Sequence, residues 1–189
     1  MTGGGDVWSA WVAAQPVSPS IDIRRRPACS LRGLRSRARY TGLAQLIGVP
    51  MPRPVVAAAI VDSLSDPTML LACSRAYPQE LRGQFELPGG KIEEGEDAVA
   101  ALEREIAEEL GTHLRVGERV CPDGGMWWPI LGGRVMGVWL AEGAPGSPAP
   151  AAGASHLETR WVPISELGDL PWIVADLPIV EAVAARCAR

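Results

Sequence analysis

The sequence GKIEEGEDAVAALEREIAEELGT, residues 90–112, has eight carboxylates in 23 residues, and it decides how the rest of the chain is interpreted. Asp97 is a good N-cap residue, apolar residues follow it at helical spacing, and Gly111 is placed to end a helix. The stretch therefore predicts a helix over residues 97–110. The segment Leu87-Pro88-Gly89-Gly90 before it predicts a tight turn.

Three glutamates of this helix, Glu105, Glu108 and Glu109, are spaced by three and four residues and so share one helical face. Like charges at this spacing repel one another, and the only base inside the predicted helix is Arg104. A solvated acidic face is the ordinary interpretation of such a run. A bound cation is the other interpretation, because Mg²⁺ and Mn²⁺ prefer carboxylate and carbonyl oxygen.

The spacing of these residues resembles the signature of the Nudix hydrolase family. The positions that match the signature are Gly90, Glu96, Arg104, Glu105, Ile106, Glu108, Glu109 and Gly111. Thr112 departs from it, because an aliphatic residue is usual there; we expect only a small packing cost. The resemblance covers about residues 55–185 and implies an α+β fold, the Nudix-type α/β/α sandwich with a mixed sheet.

The resemblance also implies roles for the matching residues. The expected catalytic residues are Arg104, Glu105, Glu108 and Glu109. The expected metal ligands are Gly90, through its carbonyl, and Glu105, Glu108 and Glu109. Mg²⁺ is the expected cofactor, with Mn²⁺ as the alternative. Arg104 is expected to pair with Glu96 as a supporting residue, and Lys91 is expected to contact a phosphate as a point charge.

Segments outside the signature resemble the nucleoside-triphosphate branch of the family, the MutT-type 8-oxo-dGTP diphosphatases and their (d)CTP pyrophosphohydrolase relatives. These segments are 74–76, 85–91, 156–162 and 170–180. By position, Arg75 matches an arginine at the nucleotide and Leu87 a residue that packs on the base. Asp176 matches the polar residue that reads the base.

Asp176 can also be weighed by its chemistry. An ionised carboxylate only accepts hydrogen bonds, which suits the N4 amino group of cytosine and equally N1–H and N2–H of guanine. The two bases therefore remain rivals. Capping of a closing helix is the alternative role for Asp176.

One departure from the relatives bears on catalysis. They often have a glutamate just before the residue that matches His156, whereas this chain has Ser155 there. Glu158, three residues further on, is the candidate substitute. His156 itself is expected to be a structural hydrogen-bonding residue.

The leading hypothesis is a Mg²⁺-dependent pyrophosphohydrolase that cleaves (d)NTP to (d)NMP and pyrophosphate, with a role in nucleotide-pool sanitation. Its substrate is (d)CTP-like or 8-oxo-dGTP. One alternative is hydrolysis of a nucleoside diphosphate-X, such as a nucleotide sugar or ADP-ribose, although no second recognition segment is evident. The other is a non-catalytic nucleotide-binding module, against which the intact glutamate cluster argues.

Composition narrows the class of protein. A length of 189 residues and 47% apolar residues indicate one domain with a substantial core. No apolar run approaches the roughly 20 residues that span a bilayer, so no membrane partner is expected. Four dispersed cysteines form no CxxC pair, and a cytoplasmic, reduced protein is expected. The expected partner is a nucleotide substrate, without a stable nucleic-acid partner, and the expected state is a monomer or a homodimer.

The charge is unevenly distributed. Residues 1–50 have seven Arg and two Asp, a net charge of +5, whereas residues 51–189 have a net charge of −9. We expect residues 1–50 to be a disordered Arg-rich extension, with Met51 as the alternative start of the protein, and residues 51–189 to be the Nudix domain. A nucleic-acid patch is the weaker interpretation of the basic run.

The remaining elements follow from apolar runs and turn residues. Strands are predicted at 54–61, 69–75, 84–87, 114–120, 126–131, 134–140 and 159–163, and a closing helix at 178–188. The first two strands are expected to form a hairpin, and 126–131 and 134–140 another across Gly132-Gly133. Trp127, Trp128 and Trp139 are expected in the core.

Overall fold

The computed structural model describes residues 52–188, so the expectations for residues 1–50 lie outside the described region. The eight strands are β1 (Val55–Ile60), β2 (Met69–Arg75), β3 (Phe85–Glu86), β4 (Gly89–Lys91), β5 (Leu114–Val120), β6 (Trp128–Ile130), β7 (Arg134–Gly143) and β8 (His156–Pro163). The α-helices are α1 (Ala98–Leu110) and α2 (Leu177–Cys187). Short 3-10 helices lie at Gln79–Leu81, Leu131–Gly133 and Ile164–Asp169.

The strands form two sheets. One has the order β4-β1-β7-β5, with β6 also paired to β7, and the other has the order β3-β2-β8. β1 and β7 are parallel, whereas the other pairs are antiparallel, so the predicted mixed sheet is confirmed. The hairpin of β6 and β7 across Gly132-Gly133 is also confirmed.

The predicted hairpin of β1 and β2 is wrong. Both edges of β1 are occupied, by β4 on one side and β7 on the other, so β1 has no free edge for β2. β2 instead pairs with β3 and β8 in the second sheet. A bridge between Val61 and Leu70 links the two sheets.

Two apolar clusters lie on opposite faces of the sheets, because successive side chains of a strand point to opposite sides. The cluster on the α1 side includes Val56, Ala58, Ile60, Leu71, Leu102, Ile106 and Leu110. The cluster on the α2 side includes Ala57, Ala59, Val61, Leu70, Ile179, Val180 and Val183. Each cluster has residues of both sheets, so the α/β/α sandwich is confirmed. Neither helix has the length and apolarity required to cross a bilayer, within the residues described.

α1 begins and ends as its sequence predicts. The Asp97 carboxylate accepts hydrogen bonds from the backbone N–H groups of Val99, at 2.9 Å, and Ala100, at 3.4 Å. Gly111 ends the helix with a φ of +64°, a conformation that favours glycine. These local interactions fix which face of α1 its glutamates occupy.

The tryptophans do not all lie in the core. Trp128 and Trp139 are buried, as predicted, and Trp128 Nε1 donates to the Val120 carbonyl at 2.9 Å. Trp127 is only half-buried. The Arg119 guanidinium lies between the rings of Trp127 and Trp139, 4.5 Å and 4.6 Å from their centroids, in a double cation–π contact.

The loop between β7 and β8 is attached to the C-terminal end of α1. The buried Thr112 hydroxyl donates to the Pro148 carbonyl at 2.7 Å. Gly153 N donates to the Glu109 carbonyl at 3.1 Å, and a Cβ on Gly153 would lie 2.5 Å from that oxygen. Thr112, the departure from the Nudix signature, therefore supplies a specific hydrogen bond and is more than a packing variant.

Candidate active site

The tight turn predicted at residues 87–90 is wrong, because the chain runs from β3 into β4 without a turn or bend. Residues 87–90, called the glycine segment below, are in direct contact with the acidic face of α1. A Cβ on Gly90 would lie 2.1 Å from the Glu105 carboxyl carbon, so only glycine permits this approach. Gly89 N donates to Glu109 Oε2 at 3.2 Å. Glu108, on the same face of the helix, is 62% exposed at the side chain. Glu105 and Glu109 thus lie against the glycine segment, whereas the Glu108 side chain is mostly exposed to solvent.

Arg104 connects α1 to the residues that precede it, 91–96. Its Nε and Nη2 donate to the two carboxylate oxygens of Glu96 at 2.9 Å and 3.0 Å, which is the predicted pair. Its Nη1 donates to Glu105 Oε1 at 3.0 Å, and Nη2 also donates to the Lys91 carbonyl at 3.1 Å. Hydrogen bonding by Arg104 lowers the pKa of Glu96 to about 2. Arg104 therefore positions Glu105 relative to the glycine segment.

The carboxylates interact with one another electrostatically. The pKa of Glu109 is raised, first by burial and then by the charges of Glu86 and Glu105, against the opposing effects of His156 and the Gly89 N–H. Within residues 52–188, no three acidic, histidine or cysteine side chains converge as a ready set of metal ligands. The oxygen atoms nevertheless suit a hard cation. The carboxylates of Glu105 and Glu109 repel each other, and Glu105 lies beside the backbone of Gly90, which has no side chain in the way.

Asp176 lies at the Leu87 end of the glycine segment. It is 5% exposed, and its Oδ2 accepts from Leu87 N at 3.3 Å. Burial, followed by the charge of Glu86, raises its pKa to about 7. Its side chain makes no capping hydrogen bond to α2, so the capping alternative is wrong.

The predicted substrate contacts have different environments. Leu87 is 3% exposed, and its side chain packs in the α2-side core. Only its backbone amide therefore lies at this site. The prediction that Leu87 packs on a base is therefore corrected. Arg75 Nη1 donates to Glu86 Oε2 at 2.6 Å, and Arg75 Nε donates to the Tyr77 carbonyl at 3.0 Å. Lys91 is exposed at the end of β4.

Glu158 cannot substitute for the missing loop glutamate. It pairs in register with Ser74 and faces the α2 side, where its carboxylate accepts from Arg160 Nη2 at 2.9 Å. His156 instead pairs with Arg75 and faces the α1 side. Residues two apart normally share a face, but a bulge between Ser74 and Arg75 shifts the register here. The prediction for Glu158 is therefore wrong.

Glu86 is the residue of this region that the sequence analysis missed. His156 Nε2 lies 3.4 Å from Glu86 Oε1, and the Ser155 hydroxyl lies 3.3 Å from His156 Nδ1. The buried His156 thus has the structural role expected for it. The sequence signal for Glu86 was weak, because it consists of one polar residue after a buried Phe85 in a two-residue strand.

The chain is similar to several known proteins. A family model described as the NUDIX domain matches residues 51–183. The chain is 40% identical over 129 residues to a Mycobacterium tuberculosis protein named as an 8-oxo-dGTP diphosphatase, covering 65% of this chain and 81% of the relative. It is 33% identical over 135 residues to a CTP pyrophosphohydrolase of Escherichia coli, covering 71% and 94%. It also matches the solution structure of the E. coli ORF135 protein, with a TM-score of 0.57 and 31% identity over 72% of this chain and 92% of that one.

Proposed function

The chain belongs to the Nudix hydrolase family, and we propose that it is a divalent-metal-dependent nucleoside triphosphate pyrophosphohydrolase. The names of its relatives, an 8-oxo-dGTP diphosphatase and a CTP pyrophosphohydrolase, support a triphosphate substrate. In the reaction a water molecule cleaves the phosphoanhydride bond between the α and β phosphates. The products are a nucleoside monophosphate and pyrophosphate.

The observation that carries this proposal is the contact of one short segment with two chemically distinct carboxylates. Leu87 N donates to Asp176, and Gly89 N donates to Glu109. Two residues of extended chain span about 7 Å, so the two carboxylates border a site that is elongated. Such a site suits a ligand with a base at the Asp176 end and phosphates at the Glu109 end.

The phosphate end suits Mg²⁺, or Mn²⁺ in its place. The residues that would hold the ion are Gly90, through its carbonyl, and Glu105, Glu108 and Glu109. A bound divalent cation neutralises phosphate charge and lowers the pKa of water. One glutamate of the cluster accepts the proton of the attacking water, while Arg104 holds Glu105 in place. Lys91 provides a point charge for the phosphates.

The base end suits a base that can both donate and accept hydrogen bonds. With a pKa of about 7, Asp176 is present in its ionised and neutral forms near neutral pH. The ionised form accepts from N4 of cytosine or from N1–H and N2–H of guanine, and the neutral form also donates. The substrate we propose is therefore (d)CTP-like or 8-oxo-dGTP, consistent with a role in maintaining the nucleotide pool.

Pyrophosphate release from a nucleotide panel tests this proposal. The panel is dCTP, CTP, 5-methyl-dCTP, dGTP, 8-oxo-dGTP, ADP-ribose and UDP-glucose, each with Mg²⁺ and with a chelator as control. Metal-dependent pyrophosphate release from a triphosphate is expected, and the preferred base assigns what Asp176 reads. Turnover of ADP-ribose or UDP-glucose alone would reject the triphosphate substrate. Absence of all turnover would favour a nucleotide-binding module.

A further inference from the structure

Glu86 faces the same side of the sheets as the acidic helix. It pairs in register with Cys73, which belongs to the α1-side core, and cross-strand partners share a face. The preceding residue, Phe85, faces the α2 side, where its ring lies against Trp172. Glu86 thus directs its carboxylate towards the face of the molecule where Glu105 and Glu109 lie.

Two neighbouring strands hold the Glu86 carboxylate. Arg75 Nη1, from β2, donates to Oε2 at 2.6 Å, and His156 Nε2, from β8, lies 3.4 Å from Oε1. The side chain of Glu86 is 15% exposed and that of His156 only 1%. A carboxylate has about four acceptor positions, and these two contacts use one on each oxygen. Glu86 is therefore a fixed anion with acceptor capacity left over.

Glu86 lies near both ends of the proposed site. It directly precedes Leu87, whose N–H contacts Asp176, and it is three residues before Gly89, whose N–H contacts Glu109. Its charge acts on both carboxylates, since it raises the pKa of each. In a nucleotide, the sugar lies between the base and the phosphates.

The charge of Glu86 already has a cationic partner. Because Arg75 pairs with it at 2.6 Å, its remaining lone pairs are suited to a neutral hydrogen-bond donor and less to a second cation. A sugar hydroxyl is such a donor. We propose that Glu86 accepts a hydrogen bond from a hydroxyl of the substrate's sugar, an inference that rests on the proposed triphosphatase function and on the base lying at Asp176.

The test is a double-mutant cycle between Glu86 and the sugar. The values of kcat/KM are measured for ribo-, deoxyribo- and 2′,3′-dideoxyribonucleoside triphosphates of the preferred base, with the wild type, Glu86→Gln and a control, Glu80→Gln. Glu80 is exposed in a 3-10 turn outside the site. In the wild type and the control, removal of the contacted hydroxyl should lower kcat/KM by roughly 10- to 100-fold, the range for a hydrogen bond to a charged group. In Glu86→Gln most of this discrimination should disappear.

The outcomes separate this inference from the proposed function. Equal wild-type kcat/KM for all three sugars would overturn the sugar contact while leaving the triphosphatase function intact. A uniform loss in Glu86→Gln, with sugar discrimination unchanged, would also overturn it. Absence of turnover of every triphosphate would overturn both. Glu86→Asp, which keeps the charge beside Arg75 but withdraws the oxygens by one methylene, should also reduce discrimination and serves if the Gln variant does not fold.

Discussion

Asp176 is a buried carboxylate and Glu109 is a half-buried one, and each accepts from a backbone N–H of the glycine segment. For each, burial is the largest cause of a raised pKa, and the charge of Glu86 adds to it. Retaining such groups costs stability, because burial disfavours the ionised form. The binding and catalytic roles that we propose would explain why the chain nevertheless has them at this site.

Glu109→Gln should lower kcat for pyrophosphate release by a factor of about 10² to 10⁴, the range for loss of a positioned acid–base group. The fold should persist, because the amide oxygen of Gln can accept from Gly89 N and the repulsion from Glu86 and Glu105 is removed. The measurements are Mg²⁺-dependent turnover and the thermal midpoint. Glu103→Gln, at an exposed position of α1, is the control; unchanged turnover in Glu109→Gln would reject the assignment.

Asp176→Asn should change how stability depends on pH. The ordinary pKa of 3.8 rises to about 7 in the folded protein, so the unfolded chain loses this proton first. The contribution of Asp176 to the free energy of unfolding is then highest below pH 4, falls as pH rises to about 7, and stays low above it. At about 1.4 kcal/mol per pKa unit, the loss is on the order of a few kcal/mol.

The Asn variant cannot ionise and should not show this fall. Denaturant unfolding of wild type and Asp176→Asn at about pH 5 and about pH 8 should show the variant gaining stability relative to wild type at the higher pH. Asp169→Asn, at an exposed position, controls for the general loss of a charge. A wild-type-to-variant difference that is the same at both pH values would contradict the burial effect.

At the scale of elements, the site depends on how α1 is attached at its middle and at its C-terminal end. Arg104, at the middle of the helix, connects it to the preceding residues 91–96 through Glu96 and the Lys91 carbonyl. At its C-terminal end, Thr112 and the Glu109 carbonyl hold the loop that leads to Ser155 and His156. The helix therefore organises both the acidic cluster and the strand that supplies His156.

Thr112→Val tests the second attachment. Val restores the aliphatic residue of the family signature but leaves the Pro148 carbonyl without its donor, which should lower the free energy of unfolding by about 1 kcal/mol. Amide hydrogen exchange should accelerate at Ala151 and Gly153, which donate to carbonyls at the end of α1. Thr159→Val, the same change within β8, is the control. Equal stability and exchange in the wild type and Thr112→Val would contradict an anchoring role.

At the scale of the whole molecule, two sheets are enclosed between α1 and α2, and each apolar cluster draws on both sheets. In this arrangement the chain passes from β3 in one sheet directly into β4 in the other, and the glycine segment there contacts both Glu109 and Asp176. The site thus forms where the two sheets adjoin.

A chain that begins at Met51 should fold and retain kcat/KM, because residues after this position form both apolar clusters. Thermal unfolding and pyrophosphate release, each compared with the full chain, provide the test. Loss of either in the shortened chain would show that residues 1–50 contribute to the domain.

Local interactions made much of this structure predictable. Asp97, Gly111 and the spacing of the glutamates act within one or two turns, so the bounds and the acidic face of α1 follow from sequence alone. The same holds for the pair of Arg104 with Glu96. The family resemblance, the mixed sheet and the two enclosing helices were also correctly predicted.

Strand pairing between distant residues decided the rest. Sequence placed β1 and β2 in one hairpin, but β4 and β7 take both edges of β1. It chose Glu158 as the substitute carboxylate, but a single bulge turns that residue to the face opposite His156. Glu86 was overlooked, because its partners Arg75 and His156 approach only through that pairing. Helix caps and helical spacing are set by near neighbours, whereas register and bulges depend on which strands meet, and only the tertiary structure determines that.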